Sequence, residues 1–261
     1  MSIEFTTLPN GLRVVTDYVP SVDSVALGVW ADVGTRDEDM THNGVAHMVE
    51  HMLFKGTRMR DTVEVAEAIE RVGGHMNAYT SRETTAYYVH LLKEHVPLAL
   101  DVLSDIIQYS TMPEQEVARE RHVVLQEIGM TLDTPDDLVF DLYQEKAYPD
   151  QALGAPILGR SPIIASMERD TMMDYVRRFY TPGRMVISAA GNVRHQEFVR
   201  LVSKLFYSLP PDNEKSAAKA RYQGGETRME RTLEQSHIIL GFDGLSRHDE
   251  AFYAASALAT I

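Results

Sequence analysis

The chain has 261 residues, 44% hydrophobic and 24% charged, the composition of a globular protein rather than a disordered or collagen-like one. It contains no cysteine, which excludes disulfides, thiolate metal sites and a cysteine nucleophile; any metal would have to be held by His and carboxylate. A formal charge of −13, with no basic patch interleaved with aromatics, disfavours nucleic acid as a partner, because phosphates would be repelled.

No run approaches the roughly 18–20 apolar residues that a membrane span requires, so no span is expected. The opening "MSIEFTTLPNGLRVV" lacks the basic and apolar regions of a signal peptide. A cytoplasmic protein is the expectation, with a processed precursor as the alternative. The acidic balance either favours cationic partners such as basic peptides or serves solubility alone.

In chain order, the opening reads as two strands. "LRVVTDYV" follows an Asn-Gly turn, and "SVALGVWADVG" is an almost continuous apolar run that predicts a strand covered on both faces. Helical spacing then takes over around residues 44–54, with Val45, Val49, Met52 and Leu53 on the apolar side. "DTVEVAEAIERVGG" is a helix with an Asp cap and a Gly stop. "HMNAYTSRETTAYYVHLL" is a pair of strands, and "VPLALDVLSDIIQYS" an amphipathic helix.

"PEQEVARERHVVLQEIGMTLD" is the next helix, with Pro113 expected in its first turn. Helical segments follow at about residues 136–148 and in "MERDTMMDYVRRFY", then a buried strand, "RMVISAAGNV", and a helix, "HQEFVRLVSKLFYSL". Strands and helices come in blocks rather than strict alternation, which predicts an α+β fold.

Residues 210–226 are polar and Pro/Gly-bearing and read as a linker. Beyond them, "SHIILGFDGLSRHDE" echoes "SVALGVWADVGTRDE", and the helix expected after it, "AFYAASALATI", has no histidine. The echo is either an ancestral duplication or two unrelated strands sharing common residues. On the first reading, residues 1–209 are one domain and 227–261 begin a second, incomplete copy.

The stretch "NGVAHMVEHMLFKGT", residues 43–57, poses the chemical question. On a helix, His47 and His51 are one turn apart and face the same way, a spacing that can grip one metal ion. Glu50 stands beside the pair, close enough to take a proton from a water at that ion. The alternatives are satisfied polar groups in a core, or a surface His-Glu pair. The apolar neighbours argue against the surface.

A catalytic zinc site usually has three protein ligands and an open position. In "EQEVARERHVVLQEIGM", at about 100° per residue, Val117, Val124 and Ile128 form a buried stripe, and Glu120 and Glu127 lie next to it, two turns apart. One could bind the ion while the other orients a histidine. A solvated salt-bridge role is the commoner fate of a helical Glu.

"HMVEH" followed by "ERHVVLQEI" resembles the inverzincin metallopeptidases, the pitrilysin and mitochondrial-processing-peptidase family. The resemblance extends through "LPNGLRVV", "VGTRDE", "GGHMNAYTSRETTAYY" and "GNV", and is nearest the processing-peptidase branch. It implies a zinc-dependent endopeptidase acting on extended or presequence-like basic peptides. That family's third ligand is a Glu about 76 residues beyond the second His, and Glu127 is 76 residues beyond His51.

His47, His51 and Glu127 would then hold Zn2+, Glu50 would be the general base, and Glu120 would support a ligand. The strand carrying Asn77, Ala78 and Thr80 would take the peptide, and Phe54 would line a pocket beside the cleaved bond. The resemblance also implies a mixed, mainly antiparallel sheet packed on helices, in a duplicated fold whose second copy is truncated here. It implies a homodimer or a heterodimer with a related subunit. The rival is a non-catalytic, peptide-binding scaffold subunit of the same family.

Overall fold

The β-branched and aromatic runs form six strands in the computed structural model, which describes residues 3–212 and 219–260. They are β1 (Ile3–Thr7), β2 (Arg13–Tyr18), β3 (Ser24–Ala31), β4 (His75–Thr80), β5 (Thr85–Leu92) and β6 (Met185–Gly191). All lie in one sheet, in the order β1-β2-β6-β3-β5-β4. Neighbours are antiparallel except β2 and β6, which run parallel. The fold is therefore α+β with a mixed, mainly antiparallel sheet.

The helices are α1 (Val45–Leu53), α2 (Thr62–Glu70), α3 (Val96–Tyr109), α4 (Glu114–Asp133), α5 (Pro135–Ala147), α6 (Ser161–Ser166), α7 (Arg169–Phe179), α8 (His195–Leu205) and α9 (Phe252–Leu258). Local chemistry accounts for several boundaries. Asp61 accepts from the Glu64 amide at 2.8 Å and Glu64 returns a bond to the Asp61 amide at 2.9 Å, a reciprocal cap that starts α2. Pro113 stands at the cap of α4, just ahead of its first turn rather than within it. The short α6 and the strand β1 are additions to the sequence reading; β1 folds back on β2 across the Asn10-Gly11 turn.

The strand β3 differs from expectation. Val25, Leu27, Val29 and Ala31 are buried, but Ser24 and Ala26 are exposed and Trp30 only half-buried, so one face is partly open. The apolar run is continuous only because Ala26 and Gly28 fill the alternate positions, and these have little apolar surface to hide. Helices cover the other face: α3 packs on β3 and β5, and α8 on β2, while α1 is wedged among α4, α7 and β4.

The last part of the chain also departs from its pattern. Residues 227–251 form no strand or helix, and Ile238, Leu240 and Phe242 are 79%, 85% and 84% exposed. A strand is stabilised by a hydrogen-bonded neighbour, and among the described residues no strand pairs with this segment. The expected helix at the end does form, as α9. Part of the expected linker, residues 213–218, lies outside the described residues. Arg221 exchanges two bonds with the Gln151 side chain, 2.8 and 2.9 Å, which ties the following segment to the body.

One backbone position holds α1 in place. Gly44, its cap residue, has φ of 94°, and a Cβ there would meet the Gly159 Cα at 2.7 Å. Gly44→Ala therefore combines a left-handed backbone with overpacking and should destabilise the chain by at least about 2 kcal/mol. Chemical denaturation measures it: the midpoint should fall at unchanged slope. A change within about 0.5 kcal/mol would contradict the close approach.

Candidate metal centre

Six residues of α1, Val45, Ala46, Met48, Val49, Met52 and Leu53, are buried and fix the rotation of that helix. His47 and His51 consequently lie along one seam, ring centroids 4.6 Å apart and inclined at 66°. Across the seam lies α4, seated by Val117, Val124 and Ile128. Its Glu127 presents one oxygen, Oε2, at 3.8 Å from His47 Nε2 and 3.7 Å from His51 Nε2. These separations exceed a hydrogen bond. They are near the roughly 3.3–3.5 Å between ligand atoms that zinc bonds of about 2.0–2.2 Å produce at tetrahedral angles.

The protonation states suit a cation. Burial, reinforced by the neighbouring His51, lowers the His47 pKa to about 4, so its ring is neutral near pH 7. Its buried Nδ1 has no hydrogen-bond partner among the described residues. His51 is held differently: its Nδ1 lies 2.9 Å from Glu120 Oε2. An Nδ1–H donated there leaves the Nε2 lone pair facing Glu127.

Glu120 is buried, and Lys55 Nζ sits 2.8 Å from its second oxygen. Burial alone would push the Glu120 carboxyl up; hydrogen bonds from Lys55 and His51 outweigh it and hold the group below its usual value. Lys55 was not singled out in the sequence. It lies two residues beyond the end of α1, and no local pattern marks it.

Glu50 lies beside the imidazoles and accepts a hydrogen bond at Oε2 from Thr80 Oγ1, 2.6 Å away. Burial raises its carboxyl, and Glu127 adds to the rise against the Thr80 bond and His51. This Thr80 bond is also absent from any sequence pattern. Along β4, Met76, Ala78 and Thr80 are half-buried, while His75, Asn77 and Tyr79 are exposed on the opposite face. The Asn77 side chain accepts from its neighbour's amide, Ala78 N, at 2.8 Å. β4 ends the sheet, with only β5 beside it, so its outer edge is unpaired among the described residues. Phe54 closes α1 and packs half-buried near Tyr87, ring centroids 6.0 Å apart. A cavity of about 620 Å³ adjoins Lys55 and is lined by Arg58, Arg60, Glu114 and Glu116, not by the imidazoles.

Residues 13–161 match the insulinase family, peptidase family M16, and residues 166–261 match the peptidase M16 inactive domain. The chain belongs to the insulinase family. An uncharacterized zinc protease of Streptomyces coelicolor is 41% identical over 268 residues, covering 99% of this chain and 58% of that protein. The uncharacterized zinc protease YmxG of Bacillus subtilis is 42% identical over 248 residues, covering 95% and 60%. The chain thus spans about 60% of the length of these relatives.

Among solved structures, a protease from Helicobacter pylori superposes with a TM-score of 0.79 at 26% identity, over 86% of this chain and 54% of that one. The periplasmic protease PqqL from Escherichia coli, at 24% identity and a TM-score of 0.75, covers 83% of this chain and 25% of that one, and shares the fold. Both relatives from Streptomyces coelicolor and Bacillus subtilis are named zinc proteases. The group formed by His47, His51 and Glu127 fits that ion: two imidazoles and a carboxylate, with no thiolate, all ligand atoms within 4.8 Å of one another.

Glu120→Gln removes the charge that Lys55 and His51 share. It should weaken zinc binding about 10–100-fold in chelator competition. Unchanged affinity would show that Glu120 does not orient His51.

Proposed function

We propose that the chain carries the zinc-binding, catalytic part of an endopeptidase, with His47, His51 and Glu127 holding the ion and Glu50 acting as general base. The convergence of two Nε2 atoms and one carboxylate oxygen across the α1–α4 seam carries this reading. When bound, zinc supplies Lewis-acid polarisation of the scissile carbonyl and makes water more acidic.

The remaining chemistry belongs to side chains of this chain. The Thr80 hydroxyl occupies Glu50 Oε2, which leaves Oε1 to take the proton of the attacking water and return it to the leaving amine. A carboxyl raised by burial is better matched to both transfers than a fully solvated one. The outer edge of β4 offers main-chain donors and acceptors to an extended peptide, which gives affinity with little demand on sequence. Thr80 lies on that strand, so peptide binding and alignment of the base share one element.

The charge of −13 supports basic, presequence-like peptides as substrates. Pairing with a second copy or a related subunit belongs to the same proposal. A second reading is a peptide-binding scaffold without turnover, for which the unpaired outer edge of β4 alone would suffice.

The zinc-loaded chain, incubated with a library of extended basic peptides with and without chelator, separates the two. Cleavage that chelator abolishes supports the peptidase; peptide binding without cleavage, unaffected by chelator, supports the scaffold. Glu50→Gln should retain one zinc per chain and lose about 10²–10⁴-fold in kcat. Undiminished turnover by the zinc-loaded variant would defeat the assignment of Glu50.

A further inference from the structure

The segment "VGTRDE", residues 33–38, has no part in the proposed chemistry, yet it reaches the helix that carries it. The start of α1 is poorly provided for locally: its cap residue is Gly44, which has no side chain to accept a hydrogen bond, and its first turn contains no acid. The amides of a helix's first turn have no partner within the helix, and burying them unpaired is costly. Glu38 meets that need from outside. Its Oε2 accepts from Gly44 N at 2.9 Å and from Asn43 Nδ2 at 3.0 Å, and its Oε1 accepts from Ala46 N at 2.8 Å. His47 is the next residue.

We infer that Glu38 is a positioning residue for the metal centre: its carboxylate seats the first turn of α1 and so sets the His47 imidazole against His51 and Glu127. The inference rests on the metal centre described above.

Glu38 is itself firmly held. Thr35 N and Arg36 N donate to Ser81 O and Arg82 O, at 3.2 and 2.8 Å, in the turn that joins β4 to β5. Arg36 pairs with Glu83 of the same turn. Gly34 lies so close that a Cβ there would meet Ser81 O at 2.4 Å. Asp37 Oδ2 accepts from Gly34 N at 3.2 Å, and its Oδ1 accepts from Arg184 Nη1 at 2.9 Å, beside the start of β6. On the other side, Asn43 Nδ2 also donates to Pro156 O at 3.1 Å. Glu38 thereby connects the β4–β5 turn, one residue beyond Thr80, to the start of the helix bearing both imidazoles and Glu50.

A carboxylate is an expensive choice for this place. Burial pushes Glu38 up to about 7, against hydrogen bonds from Ala46, Gly44 and Asn43 and with a contribution from Asp37. An exposed Ser or Asp at position 44 could cap a helix more cheaply, but the left-handed φ and the contact with Gly159 reserve that position for glycine.

His47 Nδ1 makes no hydrogen bond among the described residues, so the backbone beneath the ring bears more of its orientation than it does for His51. A shift of the first turn should therefore appear at the metal.

The test compares wild type, Glu38→Gln, Asn43→Ala and, as a control, Val202→Ala, a core truncation on α8. Zinc affinity is read by chelator competition and ligand geometry by the visible absorption of the cobalt(II)-loaded protein, under conditions where circular dichroism shows full folding. Glu38→Gln puts an amide donor against donors. It should weaken zinc about 10-fold or more and alter the cobalt spectrum; Val202→Ala should lose stability and change neither.

Should Glu38→Gln fail to fold, Asn43→Ala decides, since it removes one of the three bonds and leaves the charge: a weaker site with an altered spectrum supports the inference. A folded Glu38→Gln, or in its absence Asn43→Ala, with wild-type affinity and spectrum overturns it while leaving the metal centre intact. Wild type that takes up no zinc overturns both.

Discussion

The contact between α1 and α4 is the constraint on which the rest of the structure depends. It sets three groups that are costly to bury, His47, His51 and Glu120, against one another and against the partly exposed Glu127 rather than against hydrocarbon. Without α4, the two rings would lose both carboxylates that face them. The local charge has the same logic. Glu50, Glu120 and Glu127 carry three negative charges when ionised, and Lys55 returns one, so these four side chains leave the site around the neutral His47 ring two charges short of balance. A dication supplies that difference, and it relieves the repulsion from Glu127 that helps to raise Glu50.

The sheet contributes rigidity and reach. Its edge strand β4 turns Thr80 toward α1 and leaves the opposite edge of its backbone available. The first turn of α1 is held from the 33–38 segment, and its last turn through Ser110, whose hydroxyl donates to Met52 O at 3.3 Å. A helix pinned at both ends can keep two imidazoles one turn apart in register with a carboxylate 76 residues further along the chain.

What could be read in the sequence follows from how local each signal is. The helical repeat around His47, the Asp61 cap, and the Tyr/Thr/Val-rich runs of β4 and β5 are written in neighbouring residues and form as expected. The choice between Glu120 and Glu127 is not local: both border the stripe of Val117, Val124 and Ile128, and only the distance from His51 implied by the family resemblance separated them. The bonds of Lys55, Thr80 and Glu38 join residues that no periodicity links, so they emerge only when α4, β4 and the 33–38 segment have all docked on α1. The segment at 236–242 has the composition of a strand, but strand formation requires a neighbour, and that requirement is invisible in the segment itself.

Anomalous diffraction at the zinc edge, from crystals of the chain loaded with one equivalent of zinc, tests the central claim most directly. The account predicts a single strong peak bonded at about 2.0–2.2 Å to His47 Nε2, His51 Nε2 and a Glu127 oxygen, with one position open to solvent. A peak elsewhere, or one bonded to the imidazoles with the Glu127 carboxylate turned away, would contradict it.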